Sequence, residues 1–258
     1  MSKELKIYRL MHTKCNDIYK DLDYLINLQV GADLSDDNVC DLKDNTGDNI
    51  SLFNKIYLET TGHYWVWKNA KKSKYVGFEH YRRHIKLGKD VIINSLENLD
   101  IITLKPIIVE SVEKQYEFCH SAYDLNTIKQ IVLDLYPEYT QSWVTYITKG
   151  KILIPCNSFI TKWEIFDDMW SFITNILDEF KKRLKLKTIE DYRNHVINTA
   201  NKICPLTHSN NGLTWEEYQM RIFGSLTERL ITLYILHNIS VDKIGFAEYI
   251  EDEAKPSI

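Results

Sequence analysis

The chain has 258 residues, 44% of them hydrophobic and 26% charged, with a net charge of −4. That is an ordinary globular composition with enough length for a substantial core, and its negative balance argues against non-specific nucleic-acid binding as the main task. Five scattered cysteines (Cys15, Cys40, Cys119, Cys156, Cys204) with no Cys-x-x-Cys pair argue against a disulfide framework or zinc site, and no apolar run is long enough to span a bilayer. A cytoplasmic location is the expectation.

Leu5 to Met11 reads as a first strand ending in the polar group His12-Thr13-Lys14. The end of a first strand is where a nucleotide base and ribose often rest; the plain alternative is a strand-to-loop junction. Ile26 to Gly31 alternates like a second strand, and residues 32–43 are acidic and irregular. Asp44-Asn45-Thr46-Gly47-Asp48-Asn49-Ile50-Ser51 then forms a polar turn in which Gly47 tolerates positive φ and Asn49 or Ser51 caps the next helix. Asp44 and Asp48 suit either hydrogen bonds to ribose or a uracil edge, or the positive end of that helix.

Leu52 to Asn69 has no proline and carries Phe53, Ile56, Thr60, Tyr64 and Trp67 at helical spacing. Glu59 and His63 are spaced to pair, and Lys68 is spaced to reach a phosphate or simply to sit in solvent. Tyr75 to Phe78 reads as a short interior strand, followed by Glu79-His80-Tyr81-Arg82-Arg83-His84. Straight alternation puts His80, Arg82 and His84 on one side and Tyr81 and Arg83 on the other. Cations at a strand end suit a di-anionic group such as a nucleotide pyrophosphate. A solvated basic edge is the bland reading.

Asn98 to Leu104 reads as another strand, and Val112 to Cys119 and Asp124 to Leu135 as helices, the second capped by Asp124, with His120 in the loop between. Ile152 to Pro155 and Ser158 to Thr161 read as short strands paired around Asn157. Trp163 to Lys182 is a strongly amphipathic helix with a core stripe. The basic run Lys181 to Lys187 reads as a solvated helix end, with contact to anionic headgroups of the inner membrane surface as the alternative. Ile189 to Asn201 adds a helix. Thr214 and Ser225 both read as capping-box residues, the second with Glu228 as its acidic partner, and the tail from Glu248 is acidic.

The strings Asp44 to Ser51, Tyr64-Trp65-Val66-Trp67-Lys68-Asn69, Gly77 to Arg83, Asn157-Ser158-Phe159-Ile160 and Arg221 to Leu230 occur in order. Together they resemble a bacterial glycosyltransferase family of capsular-polysaccharide and O-antigen gene clusters, formerly catalogued as a domain of unknown function. The resemblance implies an α/β, GT-A-like fold: a Rossmann-like central sheet flanked by helices, with a helix-rich C-terminal part. It implies a single domain, with residues 1–105 as the donor nucleotide-binding half and residues 106–258 facing the acceptor. The implied reaction is inverting transfer from a UDP-sugar, UDP-galactofuranose favoured, to a lipid-linked surface polysaccharide, a hexosyltransferase activity at the cytoplasmic face of the membrane.

The donor residues it points to are His12, Lys14, Asp44, Asp48, Asn49, Lys68, His80, Arg82 and Arg83, with Glu228 first and Glu79 second as catalytic carboxylates. GT-A enzymes usually hold a divalent cation on an Asp-x-Asp motif at a middle strand end; here Glu79-His80-Tyr81-Arg82-Arg83 stands there, and Asp21-Leu22-Asp23 lies too early. Either the arginines replace the metal, the favoured option, or Glu79 and His80 share a cation. No residue is assigned to a metal. A non-catalytic nucleotide-sugar binding module is the main rival reading, and a nucleic-acid binder using the arginine edge a weaker one.

Overall fold

The computed structural model of the protein describes residues 4–14, 22–200, 202 and 212–251. Its centre is a nine-stranded sheet built from β1 (Leu5–Met11), β2 (Leu25–Gln29), β3 (Leu42–Lys43), β4 (Tyr75–His80), β5 (Arg83–Ile85), β6 (Ile101–Leu104), β9 (Phe159–Lys162), β10 (Ile244–Ala247) and β11 (Tyr249–Glu251). The small strands β7 (Ile107–Ile108) and β8 (Ile152–Leu153) pair separately. Strands β3, β2, β1 and β4 are parallel neighbours; β9 lies antiparallel between β4 and β6, and β10 continues parallel to β6. The carboxyl ends of the parallel strands and the amino end of β9 therefore share one edge.

Helices α1 (Asn54–Tyr57), α2 (Thr60–Asn69) and α3 (Lys89–Leu96) belong to the first half, and α4 (Val112–Cys119), α5 (Ala122–Leu135) and the short α6 (Thr140–Ser142) follow. The C-terminal part adds α7 (Trp163–Leu184), α8 (Ile189–Thr199), α9 (Trp215–Gln219) and α10 (Ile222–Asn238). Period-two alternation divides the core. Tyr8, Leu10, Val76 and Phe78 face a large cluster that takes in α7 and α10, whereas Leu5, Ile7 and Tyr75 face a smaller one completed by Ile92 and Leu96 of α3. The sheet is thus covered on both sides, as expected of an α/β protein with parallel strands.

Several expected boundaries move. The helix expected over Leu52 to Asn69 breaks at Leu58, whose φ of 55° and ψ of −139° end α1. The Asn54 amide donates to the Leu58 carbonyl at 2.7 Å, and Gly224 of α10 packs on the Leu58 side chain so closely that a Cβ there would lie 2.7 Å from it. Helix α5 is capped by Ser121, which accepts the Asp124 N–H, while the Asp124 carboxylate faces His195 at 2.6 Å. Strands β8 and β9 do not pair with each other: Cys156 and Asn157, with φ of 69° and 49°, reverse the chain between them.

The second expected capping box is also overturned. Ser225 lies inside α10, its amide bonded to the Arg221 carbonyl at 3.1 Å, because tertiary packing around Gly224 extends the helix back to Ile222. The Thr214 box with Glu217 does form. Asn201, Asp21 and the tail after Glu251 lie outside the described residues.

Candidate active site

The edge where the parallel strands end is set by a buried ion network. Arg9 on β1 donates from Nε to the Glu79 carboxylate on β4 at 2.8 Å, both side chains fully buried. His84 Nδ1 lies 3.0 Å from that carboxylate, and the Ile85 amide donates to it at 3.2 Å. This corrects two expectations. Glu79 is enclosed on the α3 side of the sheet, and its oxygens serve Arg9, His84 and Ile85 rather than a substrate or a cation shared with His80. His84 lies on the Glu79 side because β4 and β5 join as a hairpin with His80 opposite Arg83, so the alternation reverses at Tyr81-Arg82. Arg83 therefore sits on the same side as His80.

Arg82 and Arg83 are carried at this hairpin, half-buried. Neither Nε atom has a hydrogen-bond partner among the described residues, although both atoms are buried. Arg83 donates from Nη1 to the Cys156 Sγ at 3.2 Å and has Glu251 at 3.9 Å, and the Arg82 guanidinium lies 5.2 Å from the Tyr81 ring centre. The His80 Nδ1 accepts the Arg82 amide at 3.2 Å, which leaves Nε2 to carry the proton. Burial, then the charges of Arg83, Arg82 and His12, pushes the His80 pKa down to about 3, so the ring is a neutral donor at neutral pH. His12 packs edge-on against Tyr81 at 4.6 Å; its pKa is lowered by desolvation, then by Arg82 and Arg221.

Arg221 is a cation that the spacing did not single out, although it opens the last motif string. Standing at the start of α10, it also depresses the pKa of His120, after burial and Arg229. His120 is no open loop histidine: it is buried, 3.0 Å from the Ser225 hydroxyl and stacked on Tyr218.

Glu228 faces the same edge from the interior of α10. One oxygen accepts the Cys156 amide at 2.6 Å and the other accepts Arg229 Nη1 at 2.6 Å, with 20% of its side chain exposed. Since a carboxylate accepts about four hydrogen bonds, capacity remains for a further donor. Glu59, released from the helix interior by the break at Leu58, accepts the Asn157 amide at 2.8 Å rather than pairing with His63. Burial raises its pKa. His63 spans from the Glu59 carbonyl to the Asn157 carbonyl and is stacked between Phe78 and Trp170. Consecutive left-handed residues at Cys156 and Asn157 thus sit against both carboxylates, and such conformations persist only where the surroundings enforce them.

The Asp44 string is placed differently. Asp44 is fully buried, accepting the Gly31 and Ala32 amides at 2.9 and 3.1 Å and the Ser51 hydroxyl at 2.5 Å, so its carboxylate is closed to a ribose. Asp48 accepts the Tyr64 hydroxyl at 3.0 Å and exchanges backbone bonds with the Asn69 amide. Gly47, at φ 60°, is needed there because a Cβ would collide with that amide. Asn49 accepts the Ser51 amide at 3.2 Å, and Lys68 lies 3.6 Å over Trp67. Asn69 and Lys68 end the ten-residue α2, whose length of about 15 Å separates them from Glu59 at the strand-end side. Lys14 is exposed just beyond β1. The structure therefore gathers His12, His80, Arg82, Arg83 and Glu228, and leaves Asp48 and Lys68 at the far end of α2. Among the described residues no three His, Cys, Asp or Glu side chains form a metal-holding group.

Comparison with known proteins agrees with this architecture. The chain is similar to the apo structure of the WbbM bifunctional glycosyltransferase, at 24% identity with a TM-score of 0.77, over 97% of this chain and 46% of that one. It thus spans less than half of that protein's length, and the likeness establishes a common fold. No curated protein matches. A family model described as a domain of unknown function, DUF4422, matches residues 6–200. With most of its length covered by that match, the chain belongs to the DUF4422 family.

Proposed function

We propose that the strand-end cluster binds the diphosphate of a nucleotide sugar and that the protein is a glycosyltransferase. The observation that carries this reading is the pair of half-buried arginines whose buried Nε donors have no hydrogen-bond partner among the described residues, beside Arg221, where parallel strands end. Open α/β sheets bind ligands at that edge, and guanidinium forks match phosphate oxygens. The GT-A-like fold supports the same reading.

In this mechanism the acceptor hydroxyl oxygen attacks the anomeric carbon, the bond from that carbon to the diphosphate oxygen breaks, and the electron pair leaves with the nucleotide. Arg82, Arg83 and Arg221 offset the charge that develops on the leaving group, and neutral His80 adds a hydrogen bond from Nε2. Glu228 takes the acceptor proton, and attack on the face opposite the diphosphate gives inversion. Glu79 acts at one remove: through Arg9, His84 and Ile85 it fixes the hairpin that carries the arginines. In this reading His12 and Lys14 meet the base and ribose. The donor we favour is UDP-galactofuranose and the acceptor a lipid-linked surface polysaccharide, met at the cytoplasmic face of the membrane. Among the described residues no helix is long and apolar enough to cross a membrane.

Calorimetric titration with UDP, coupled to an assay for released UDP, tests the reading. Arg82→Ala with Arg83→Ala should weaken UDP binding by about tenfold or more, since each charged hydrogen bond contributes about 1.5–3 kcal/mol; unchanged affinity removes the leaving-group role. Transfer should persist in chelator, and a complete loss restored by manganese would overturn the arginine assignment. A second reading has its own support: both Glu228 oxygens already hold protein donors, as a structural residue's would. Glu228→Gln separates the two. A base loses about 10²–10⁴-fold in turnover with UDP affinity kept, whereas a binding module shows UDP binding and no release in any variant.

A further inference from the structure

On the face of α10 that carries Thr227, turned away from Glu228, two neighbouring hollows share Ile50, Tyr57 and Lys181. The inner one, of about 70 Å³, lies between α2, α7 and α10; the outer groove, of about 780 Å³, follows the end of α7. That outer volume is in the usual range for a small-molecule site.

Thr227 lines the inner hollow, is fully buried, and its hydroxyl has no hydrogen-bond partner among the described residues. A bond within the helix would satisfy it, as it does for Thr232, which donates to the Glu228 carbonyl at 2.9 Å. A buried hydroxyl left without a partner is costly, and a polar ligand removes that cost. Tyr57, Tyr64 and Trp170 add aromatic surface, and Asp178 adds a half-exposed carboxylate held by Lys181 at 2.6 Å. Aromatic faces with a carboxylate and a hydroxyl suit a sugar ring.

The outer groove is cationic. Lys182, Lys185 and Lys187 line it beside Phe53 and Tyr192. Cations in the last turn of a helix complement its dipole, which accounts for Lys181 and Lys182. Lys185 and Lys187 lie beyond the helix end, both exposed, and Lys185 makes no ion pair among the described residues. Lys185 also occupies the left-handed position, φ 56°, that closes α7 and that glycine usually fills.

We propose that this double hollow is a second ligand site that takes a sugar phosphate: the ring against Tyr57 and Trp170 with a hydroxyl on Thr227 and Asp178, the phosphate among Lys182, Lys185 and Lys187. Thr227 and Glu228 are neighbours in sequence, but Glu228 turns to Cys156 and Thr227 to this hollow, so the site is separate from the strand-end cluster. It does not depend on the donor reading, and its test is binding, not turnover.

The full chain is titrated by calorimetry with glucose, galactose and mannose 1-phosphates, the matching methyl glycosides, inorganic phosphate, and phosphatidylglycerol vesicles. At least one hexose phosphate should bind about tenfold tighter than both inorganic phosphate and its neutral glycoside. Thr227→Val should weaken that binding about fivefold or more without lowering the melting temperature, because it removes an unpaired hydroxyl at constant shape. Lys185→Glu with Lys187→Glu should weaken it about tenfold while leaving UDP affinity unchanged. The proposal fails if no hexose phosphate outcompetes inorganic phosphate, if Thr227→Val binds as the parent does, or if only the vesicles bind and do so through the lysines.

Discussion

The Asp44–Ser51 loop and the Arg82–Arg83 hairpin belong to separate motif strings, and they finish their hydrogen bonds in opposite ways. In the loop the carboxylates are taken up by protein partners: Asp44 binds two amides and a hydroxyl, and Asp48 is held by Tyr64 and Asn69. At the hairpin the arginines keep donors unused while their supports, Arg9 and Glu79, are fully paired. Polar groups that close on themselves build a scaffold; those left open beside a rigid scaffold are where a ligand gains most.

That contrast can be broken by stability measurements. Glu79→Ala should cost about 3–5 kcal/mol, because it leaves the buried Arg9 guanidinium without its counter-charge; denaturant unfolding reads this, and a loss below about 1 kcal/mol would mean that the network is not holding the hairpin. Acid provides the next test. His63 is neutral in the fold, its pKa pushed down to about 4 by burial, against 6.5 for the free side chain. Between those values the unfolded chain binds the proton and the folded chain does not, so stability falls as pH drops from 6.5 towards 4. At full extent the loss from this group is about 3 kcal/mol. His63→Phe should flatten that part of the curve, measured as unfolding midpoint against pH.

Asp48→Ala removes one exposed hydrogen bond to Tyr64 and should cost about 1 kcal/mol or less, with UDP affinity kept. The arginine pair sharpens the comparison from the other side. The double Arg82→Ala, Arg83→Ala variant should unfold within about 0.5 kcal/mol of the parent, since its lost donors had few partners, while its UDP affinity collapses. A large loss of stability there would turn the hairpin into scaffold.

What was legible in the sequence was what local periodicity dictates. Strand β1 and helix α4 have the expected bounds, α7 runs two residues beyond its expected end, and the mostly parallel, helix-flanked sheet is the fold class expected. What was not legible depends on partners far along the chain. Tyr81-Arg82 turns a hairpin without glycine or asparagine, so nothing local announced the reversal that carries His84 to Glu79. Ser225 and Glu228 have capping-box spacing, but the contact between Gly224 and Leu58 moves the helix start upstream. Glu59 reaches Asn157 only because Leu58 breaks the helix, and Arg221 joins the cation cluster only once α10 is docked.

The antiparallel insertion of β9 has a consequence for how the molecule is made. Both strands that flank it, β4 and β6, precede it by more than fifty residues, and neither bonds the other. Until Phe159 to Lys162 has been synthesised and docked, β4 has one edge bare in the middle of the sheet, and β6, whose partners β9 and β10 both come later, has two. Such edges recruit other chains, and their late, long-range closure is slow. Nascent chains halted ahead of Phe159 would therefore be the species most in need of a chaperone.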